Sequence, residues 1–279
     1  MIEYRDYQKN IISKGVSIIK ANRFLYLAME VRTGKTLTSL GICEKLDVKK
    51  VLFITKKKAI SSIKYDYQML LPEFEMEIIN YESLHKVRQT GWDVVICDEA
   101  HGMGAFPKPN GRAKKVKDII FRSNPYVILL SGTPTPEGYS QMYHQVYFIP
   151  TNPFSQYRSF YKFSNDYVSV IKKKIGGMYI NDYSKGSKKI IEHMSPYTIN
   201  FSQNQLCSGT IKFESGNSMV LDYSKALYIK ERFKGMKIAI FYKFKEELNA
   251  LKKVFGDDVC QDLECFDTTP KNIALQIVS

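Results

Sequence analysis

The chain has 279 residues, 44% of them hydrophobic and 25% charged, and 41 Lys and Arg against 28 Asp and Glu give a formal net charge of +13. That balance describes a core-forming chain and excludes a disordered or low-complexity one. No apolar run approaches the ~18 residues of a membrane-spanning helix, and "MIEYRDYQKN", with acids among its first six residues, does not read as a signal peptide.

The excess of positive charge is spread over both halves and suits a polyanionic partner, because neutralising phosphates releases counterions. The five cysteines (Cys43, Cys97, Cys207, Cys260, Cys265) form no C-x-x-C pair and have no histidine at zinc spacing. Cys43 and Cys97 sit in apolar segments and read as small buried residues, so the expected location is the cytoplasm.

Taken in chain order, the first 150 residues alternate between two periods. Strands are predicted at 23–30 (RFLYLAME), 50–55 (KVLFIT), 75–80 (EMEIIN), 92–99 (WDVVICDE) and 126–133 (YVILLSGT), with helices at 34–46 and 59–71 among them. Continuously apolar strands alternating with helices imply a parallel sheet covered on both faces. From about 139 to 236 the texture turns to Tyr, Phe, Lys, Ser and Asn. "IKKKIGGMYINDYSKGSKKI" (171–190) reads as a basic, Gly-punctuated hairpin or loop, with Lys172 to Lys174 a candidate duplex-backbone contact. In 152–167, Phe154, Tyr157 and Tyr161 at helical spacing read as a packing face. In 112–122 Val116, Ile119 and Ile120 read as an inward face. A new α/β beginning follows: strand 236–242, helix 243–255 and strand 272–279. The expected organisation is therefore a domain over 1–150, a connector over 151–235 and a partial second domain over 236–279.

The chemistry-bearing residues recur just after the strands: Gly34-Lys35-Thr36, Thr55, Asp98-Glu99 and Ser131-Gly132-Thr133. In open α/β sheets ligands bind along that carboxyl edge. A helix opening at Gly34 would aim backbone N–H groups at an anion, Lys35 would pair with terminal phosphates and the Thr36 hydroxyl would ligate magnesium. Met29 stands where the full phosphate-loop pattern has glycine. After the apolar "VVIC", one carboxylate can hold magnesium and the next can activate water. A lysine loop and paired carboxylates after separate strands form the minimum kit for phosphoryl transfer.

With these motifs in order, the chain resembles the superfamily-two helicases and translocases, in particular the Swi/Snf-type branch and its phage-borne relatives. "YRDYQ" (4–8) is similar to the adenine-recognition motif, "MEVRTGKT" (29–36) to motif I, with Arg32 where glycine is usual, and "DEAH" (98–101) to motif II. "FITKKKAISSI" (53–63) resembles motif Ia, "INYESLHK" (79–86) motif Ib, "SGTPTPEG" (131–138) motif III and 237–255 the opening of motif IV. The resemblance implies an α/β fold: a RecA-like parallel sheet flanked by helices, then a connector and the incomplete start of a second RecA-like domain. It also implies ATP and Mg2+ as cofactors. ATP would be bound by Arg5, Gln8, Thr33, Gly34, Lys35 and Thr36, with the metal at Thr36 and Asp98. Catalysis would rest on Lys35, Asp98, Glu99 and His101, nucleic-acid contact on Lys56, Lys57 and Lys58, and nucleotide-to-motion coupling on Ser131, Gly132 and Thr133. The partner implied is nucleic acid, most readily double-stranded DNA. Relatives continue into motifs V and VI, which this sequence does not contain. The expectation is therefore ATP binding with feeble hydrolysis by this chain alone, and a separate polypeptide is one source for the rest of the second lobe. A non-catalytic DNA-binding protein that keeps the fold, or a motor fragment of a restriction system, are the rival readings.

Overall fold

A computed structural model describes residues 3–202, 210–212, 218–220, 222–242 and 244–276. Cys207, Lys243 at the start of the expected 243–255 helix and the last three residues of the expected 272–279 strand lie outside the described residues. The chain divides into two compact units, Met1–Asn200 and Phe201–Ser279.

The first unit is built on a six-stranded sheet. Its strands are β1 (Phe24–Met29), β2 (Lys50–Thr55), β3 (Glu75–Asn80), β4 (Val94–Cys97), β5 (Tyr126–Ser131) and an edge strand β8 (Thr198–Phe201), in the spatial order β3-β2-β4-β5-β1-β8. The ladders joining β1 to β5, β5 to β4, β4 to β2 and β2 to β3 are all parallel. Val94, Val95, Ile96 and Cys97 are all fully buried, as a strand covered on both faces requires. Helices α1 (Asp6–Asn22), α2 (Lys35–Lys45) and α3 (Ile60–Leu70) accompany one face. There Gly15 of α1 lets Leu25 of β1 and Ile42 of α2 approach so closely that a methyl group would lie 2.6 Å from Ile42 Cδ1. Phe24, Tyr26, Leu52, Ile54, Val95, Cys97, Val127 and Leu129 join the opposite core with α4 (Gly111–Ser123) and α5 (Met142–Val146). In α4, Val116, Ile119 and Ile120 are buried, as their spacing predicts.

The segments flanking residues 171–182 within 151–200 pack into this same core, and the compact unit ends after Asn200, where the sequence suggests a domain end at 150. Phe154, Phe160, Phe163 and Tyr167 are buried, and Phe163 stacks 4.8 Å from Tyr143 and 5.0 Å from Tyr167 between ring centroids. Two details differ from the helical reading of 152–167. The helix α6 covers only Phe160–Tyr167, because Asn152 accepts from the Phe154 backbone N–H at 2.7 Å and donates to Ile149 O at 2.6 Å, closing a turn instead. Tyr161 is 49% exposed, the inward positions being Phe160 and Phe163. The basic stretch forms an antiparallel hairpin, β6 (Ile171–Ile175) with β7 (Met178–Asp182). Helix α7 (Lys189–Met194) leads back towards β8.

The second unit has a short antiparallel pair (Thr210–Lys212 with Ser218–Val220) and a parallel three-stranded sheet of Ala239–Tyr242, Val259–Cys260 and Asn272–Gln276. Its core gathers Ala226, Ile240, Tyr242, Leu248, Leu251, Phe255 and Ala274. Cys43, Cys97 and Cys260 are free and buried, and Cys265 is free. Among the described residues no helix is long and apolar enough to cross a membrane.

Candidate functional site

The register pairs Ala28 with Ser131, Leu129 with Cys97 and Cys97 with Ile54. Four neighbouring strands therefore end together, and the loops after β2, β4, β5 and β1 leave side by side from one carboxyl edge. Sequence positions up to about a hundred residues apart become neighbours through that topology alone.

The loop after β1 turns twice into left-handed backbone. Arg32 adopts φ 64° and Gly34 φ 72°. The geometry left open by the arginine in place of glycine is thus met by a non-glycine residue in a region that costs an L-residue about 1 kcal/mol or more. A second constraint acts at Gly34: a Cβ there would lie 2.6 Å from Gln8 Nε2, so the glutamine amide would have to shift. Gln8 is only 4% exposed; its Oε1 accepts from the Arg5 backbone N–H at 3.0 Å. Tyr7 donates from its hydroxyl to Thr33 O at 3.3 Å, and Thr33, fully buried, donates to Glu30 O at 2.6 Å. The start of α1 is thereby fixed against the loop. Thr36 lies half-buried in the first turn of α2.

Lys35 Nζ donates to the strand-end carbonyls of Met29 at 2.8 Å and Glu30 at 3.0 Å. Burial lowers its pKa from the ordinary lysine value, and the carboxylates of Asp98, Glu99 and Glu30 oppose that fall. Gly132 lies over the same spot, where a Cβ would stand 3.7 Å from Lys35 Nζ.

Asp98 accepts from the Thr55 hydroxyl at 2.7 Å, while its backbone carbonyl accepts from Tyr81 at 2.7 Å. Burial raises the carboxyl pKa and the Thr55 hydrogen bond works against it. Glu99 sits at φ 53°, an uncommon conformation for glutamate of the kind found at functional sites. Its carboxylate stands 3.2 Å from His101 Nδ1 and 3.9 Å from Lys56 Nζ. His101 Nδ1 is also 3.0 Å from Ser131 Oγ, which accepts from the Thr133 backbone N–H at 3.1 Å. Burial lowers the His101 pKa, with Glu99 pulling the other way. A chain of contacts thus runs Lys56, Glu99, His101, Ser131, Thr133 across three adjacent loops. Lys56 therefore faces the carboxylate pair, while Lys57 and Lys58 are exposed on the short turn Lys57–Ala59 after β2.

Sequence reasoning missed the scaffold behind the Ser131–Thr133 loop. Gln145, fully buried, donates to Pro134 O at 2.7 Å and accepts from the Tyr26 hydroxyl at 2.8 Å. Gln141 accepts from the Glu137 N–H at 3.1 Å, and His144 donates from Nδ1 to Ala105 O at 2.6 Å. Two glutamines one helical turn apart in an otherwise aromatic segment were the available signal.

The residues fit a nucleotide and its metal. A half-buried ammonium held only by carbonyls is a cation positioned for an anion, and Thr36 with Asp98 supplies hard oxygen donors. Among the described residues no group of three or more His, Cys, Asp or Glu could hold a metal alone. Magnesium takes one or two protein oxygens together with substrate phosphates, a demand the Thr36 hydroxyl and the Asp98 carboxylate are of the right chemistry to meet.

A family profile described as "SNF2-related domain" matches residues 36–226. The chain belongs to that family. RNA polymerase-associated protein RapA of Vibrio cholerae serotype O1, in strains M66-2 and ATCC 39315, is 27% identical over 107 residues, a stretch amounting to 37% of this chain and 11% of RapA. Among solved structures the Sulfolobus solfataricus SWI2/SNF2 ATPase core in complex with dsDNA matches with a TM-score of 0.56 and 13% identity, over 99% of this chain and 78% of that one. At that identity the likeness is one of fold, and it is the RecA-like α/β core of the family. The profile begins at Thr36, so Gln8 and Lys35 rest on geometry and motif.

Proposed function

We propose that this chain is the ATP-binding lobe of an ATP-dependent nucleic-acid translocase acting on duplex DNA. The observation that carries the reading is the convergence of Lys35 and Thr36 with Asp98 and Glu99 on one sheet edge, in a chain of the SNF2-related family. Lys35 exchanges its two backbone carbonyl partners for nucleotide phosphates. Thr36 and Asp98 would hold magnesium, which would supply neutralisation of the charge developing on the phosphates. Glu99 takes the proton of the attacking water, with its carboxylate aimed by His101 and Lys56. Gln8, supported by Arg5, reads the adenine. Ser131 and Thr133, joined to Glu99 through His101, pass the nucleotide state to the loop that follows β5. Lys57 and Lys58, exposed on the same edge, contact the nucleic-acid backbone.

The test is a thermal shift with magnesium and ATP, followed by turnover measured with and without duplex DNA. The reading expects ATP to raise the Tm of the parent chain and of Glu99→Gln, and to leave Lys35→Ala unmoved. A parent chain that ATP does not stabilise would sink it.

A further inference from the structure

The β6–β7 hairpin is absorbed neither by the core nor by the nucleotide site. Its register pairs Lys172 with Asn181, Lys173 with Ile180 and Lys174 with Tyr179. Paired residues of an antiparallel ladder share a face and alternate along it. Lys172, Lys174, Tyr179 and Asn181 therefore lie on one face, and Lys173, Ile180 and Asp182 on the other. The hairpin's single acid is committed on that other face: Asp182 pairs with Lys173 at 2.6 Å and accepts from the Ser184 backbone N–H at 2.9 Å and from its hydroxyl at 3.1 Å. Lys172 and Lys174 have no acidic partner within ion-pair distance among the described residues. Tyr179, directly across the ladder from Lys174, is 70% exposed. A strand carries alternate residues about 6.7 Å apart, so this face presents two ammonium groups along β6 and a phenol beside the second of them on β7.

The hairpin's footing gives it a defined place. Ser140 Oγ donates to Tyr183 O at 2.5 Å, and Gly138, at φ 146°, lies so close under Ser184 that any Cβ there would collide with its carbonyl. A Cβ on Gly186 would likewise stand 2.5 Å from Ser140 N. On the other strand's side, Ser169 donates to Lys185 O at 3.0 Å and Ser187 to Tyr167 O at 2.7 Å. Residues 138–140 continue the loop that leaves the carboxyl end of β5 after Ser131–Thr133. The hairpin is thus held through its second leg, residues 183–186, on the segment that continues the candidate coupling motif, the first leg being tied to the second by the Ser169–Lys185 bond. Its five-residue strands extend about 17 Å beyond that footing.

We infer that this hairpin is a second nucleic-acid contact, in which Lys172 and Lys174 neutralise backbone phosphates and the Tyr179 hydroxyl donates to a third. The inference rests on the translocase reading and extends it to a surface outside the carboxyl-edge lysines. The occupant is a phosphate backbone because the face is doubly cationic with one phenolic donor, the usual chemistry of sequence-independent phosphate contacts.

The experiment is fluorescence anisotropy of the whole chain with a labelled DNA duplex across a salt series. Lys172→Ala/Lys174→Ala is compared with Lys20→Ala/Lys45→Ala. The second pair removes the same charge from exposed positions in the last turns of α1 and α2, at the opposite edge of the sheet. The hairpin pair should lower the slope of log affinity against log salt by about 1.8 and weaken binding roughly 10-fold, while the control pair leaves the slope unchanged. Tyr179→Phe should weaken binding by a few-fold with the slope unchanged. Equal slopes for the two lysine pairs would overturn this contact while leaving the translocase reading standing. A parent chain that binds no duplex even at low salt would overturn both.

Discussion

Two regions of the first unit bury polar side chains, and they do so for opposite ends. Along the carboxyl edge, Lys35, Asp98, Glu99 and His101 are part-buried and bonded mainly to one another's loops. Among the described residues, Lys35 donates to two carbonyls, and Glu99 is approached by His101 at 3.2 Å and Lys56 at 3.9 Å. In the aromatic layer of residues 139–194, Gln145, Gln141, His144 and Ser140 are buried and bonded to backbone carbonyls or N–H groups that cannot move away. In the translocase reading, the first arrangement keeps polar capacity in reserve for the nucleotide. The second spends it on holding a loop in shape. Substitutions at the edge should therefore change turnover or binding at little cost in stability, and substitutions in the layer should do the reverse.

The largest effect that would sharpen this contrast is at Glu99. In the translocase reading, Glu99→Gln removes the proton acceptor and lowers magnesium-dependent ATP turnover by about 10²- to 10⁴-fold. Its melting temperature should stay close to the parent's, because the amide keeps the size of the carboxylate. Steady-state turnover beside a melting curve measures both at once; a large loss of stability would show that Glu99 belongs with the structural group.

His144 gives the next largest effect, with the sign reversed. Burial pushes its pKa down to about 4, the hydrogen bond to Ala105 O opposing. The unfolded histidine gains its proton first, near its ordinary value of about 6.5, while the folded one stays neutral. Its contribution is therefore complete above pH 6.5 and is lost as the pH falls from there towards 4, by about 3 kcal/mol in all. Denaturant titrations at several pH values should show that decline in the parent, and His144→Asn, which keeps a donor for Ala105 O without titrating, should flatten it.

The carboxyl edge was almost wholly legible in the sequence, because each strand that builds it is apolar on both faces and each motif follows a strand end. The predicted β2 and β3 match their strands residue for residue, Lys50–Thr55 and Glu75–Asn80. The aromatic layer was not legible to the same degree. Ring-on-ring packing has no fixed sequence period, so the spacing of Phe154, Tyr157 and Tyr161 suggested a helix face. In the fold a buried Asn152 closes a turn, and the helix begins only at Phe160, capped by Ser159, with Tyr161 49% exposed. Lys56 shows the same limit at the site itself: the sequence gives its strand end, and only the third dimension brings its ammonium to Glu99.

Gln145→Ala is expected to fall between the two extremes. It withdraws a donor from Pro134 O and an acceptor from the Tyr26 hydroxyl in a fully buried setting, which costs about 1–3 kcal/mol. Chemical denaturation reads that loss directly. If ATP affinity fell with no change in stability, the layer and the edge would have to be treated as one functional region.

The smallest effect separates two arginines that share a backbone conformation. Arg23 and Arg32 adopt φ 56° and φ 64°, where glycine relieves strain of about 1–2 kcal/mol but gives back about 0.5–1 kcal/mol in chain entropy. Arg32 is exposed in the loop after β1, so Arg32→Gly should stabilise the fold by about 0.5 kcal/mol, the balance of those two terms. Arg23 ends α1, donates to Asn124 O and lies 4.7 Å over the Tyr126 ring. Arg23→Gly loses that hydrogen bond and that packing, and the balance turns to a net loss of about 1 kcal/mol. Opposite signs in paired denaturation curves would show that the contacts of the Arg23 side chain, and not the backbone conformation the two share, set the difference. Equal signs would show that the backbone term dominates at both positions.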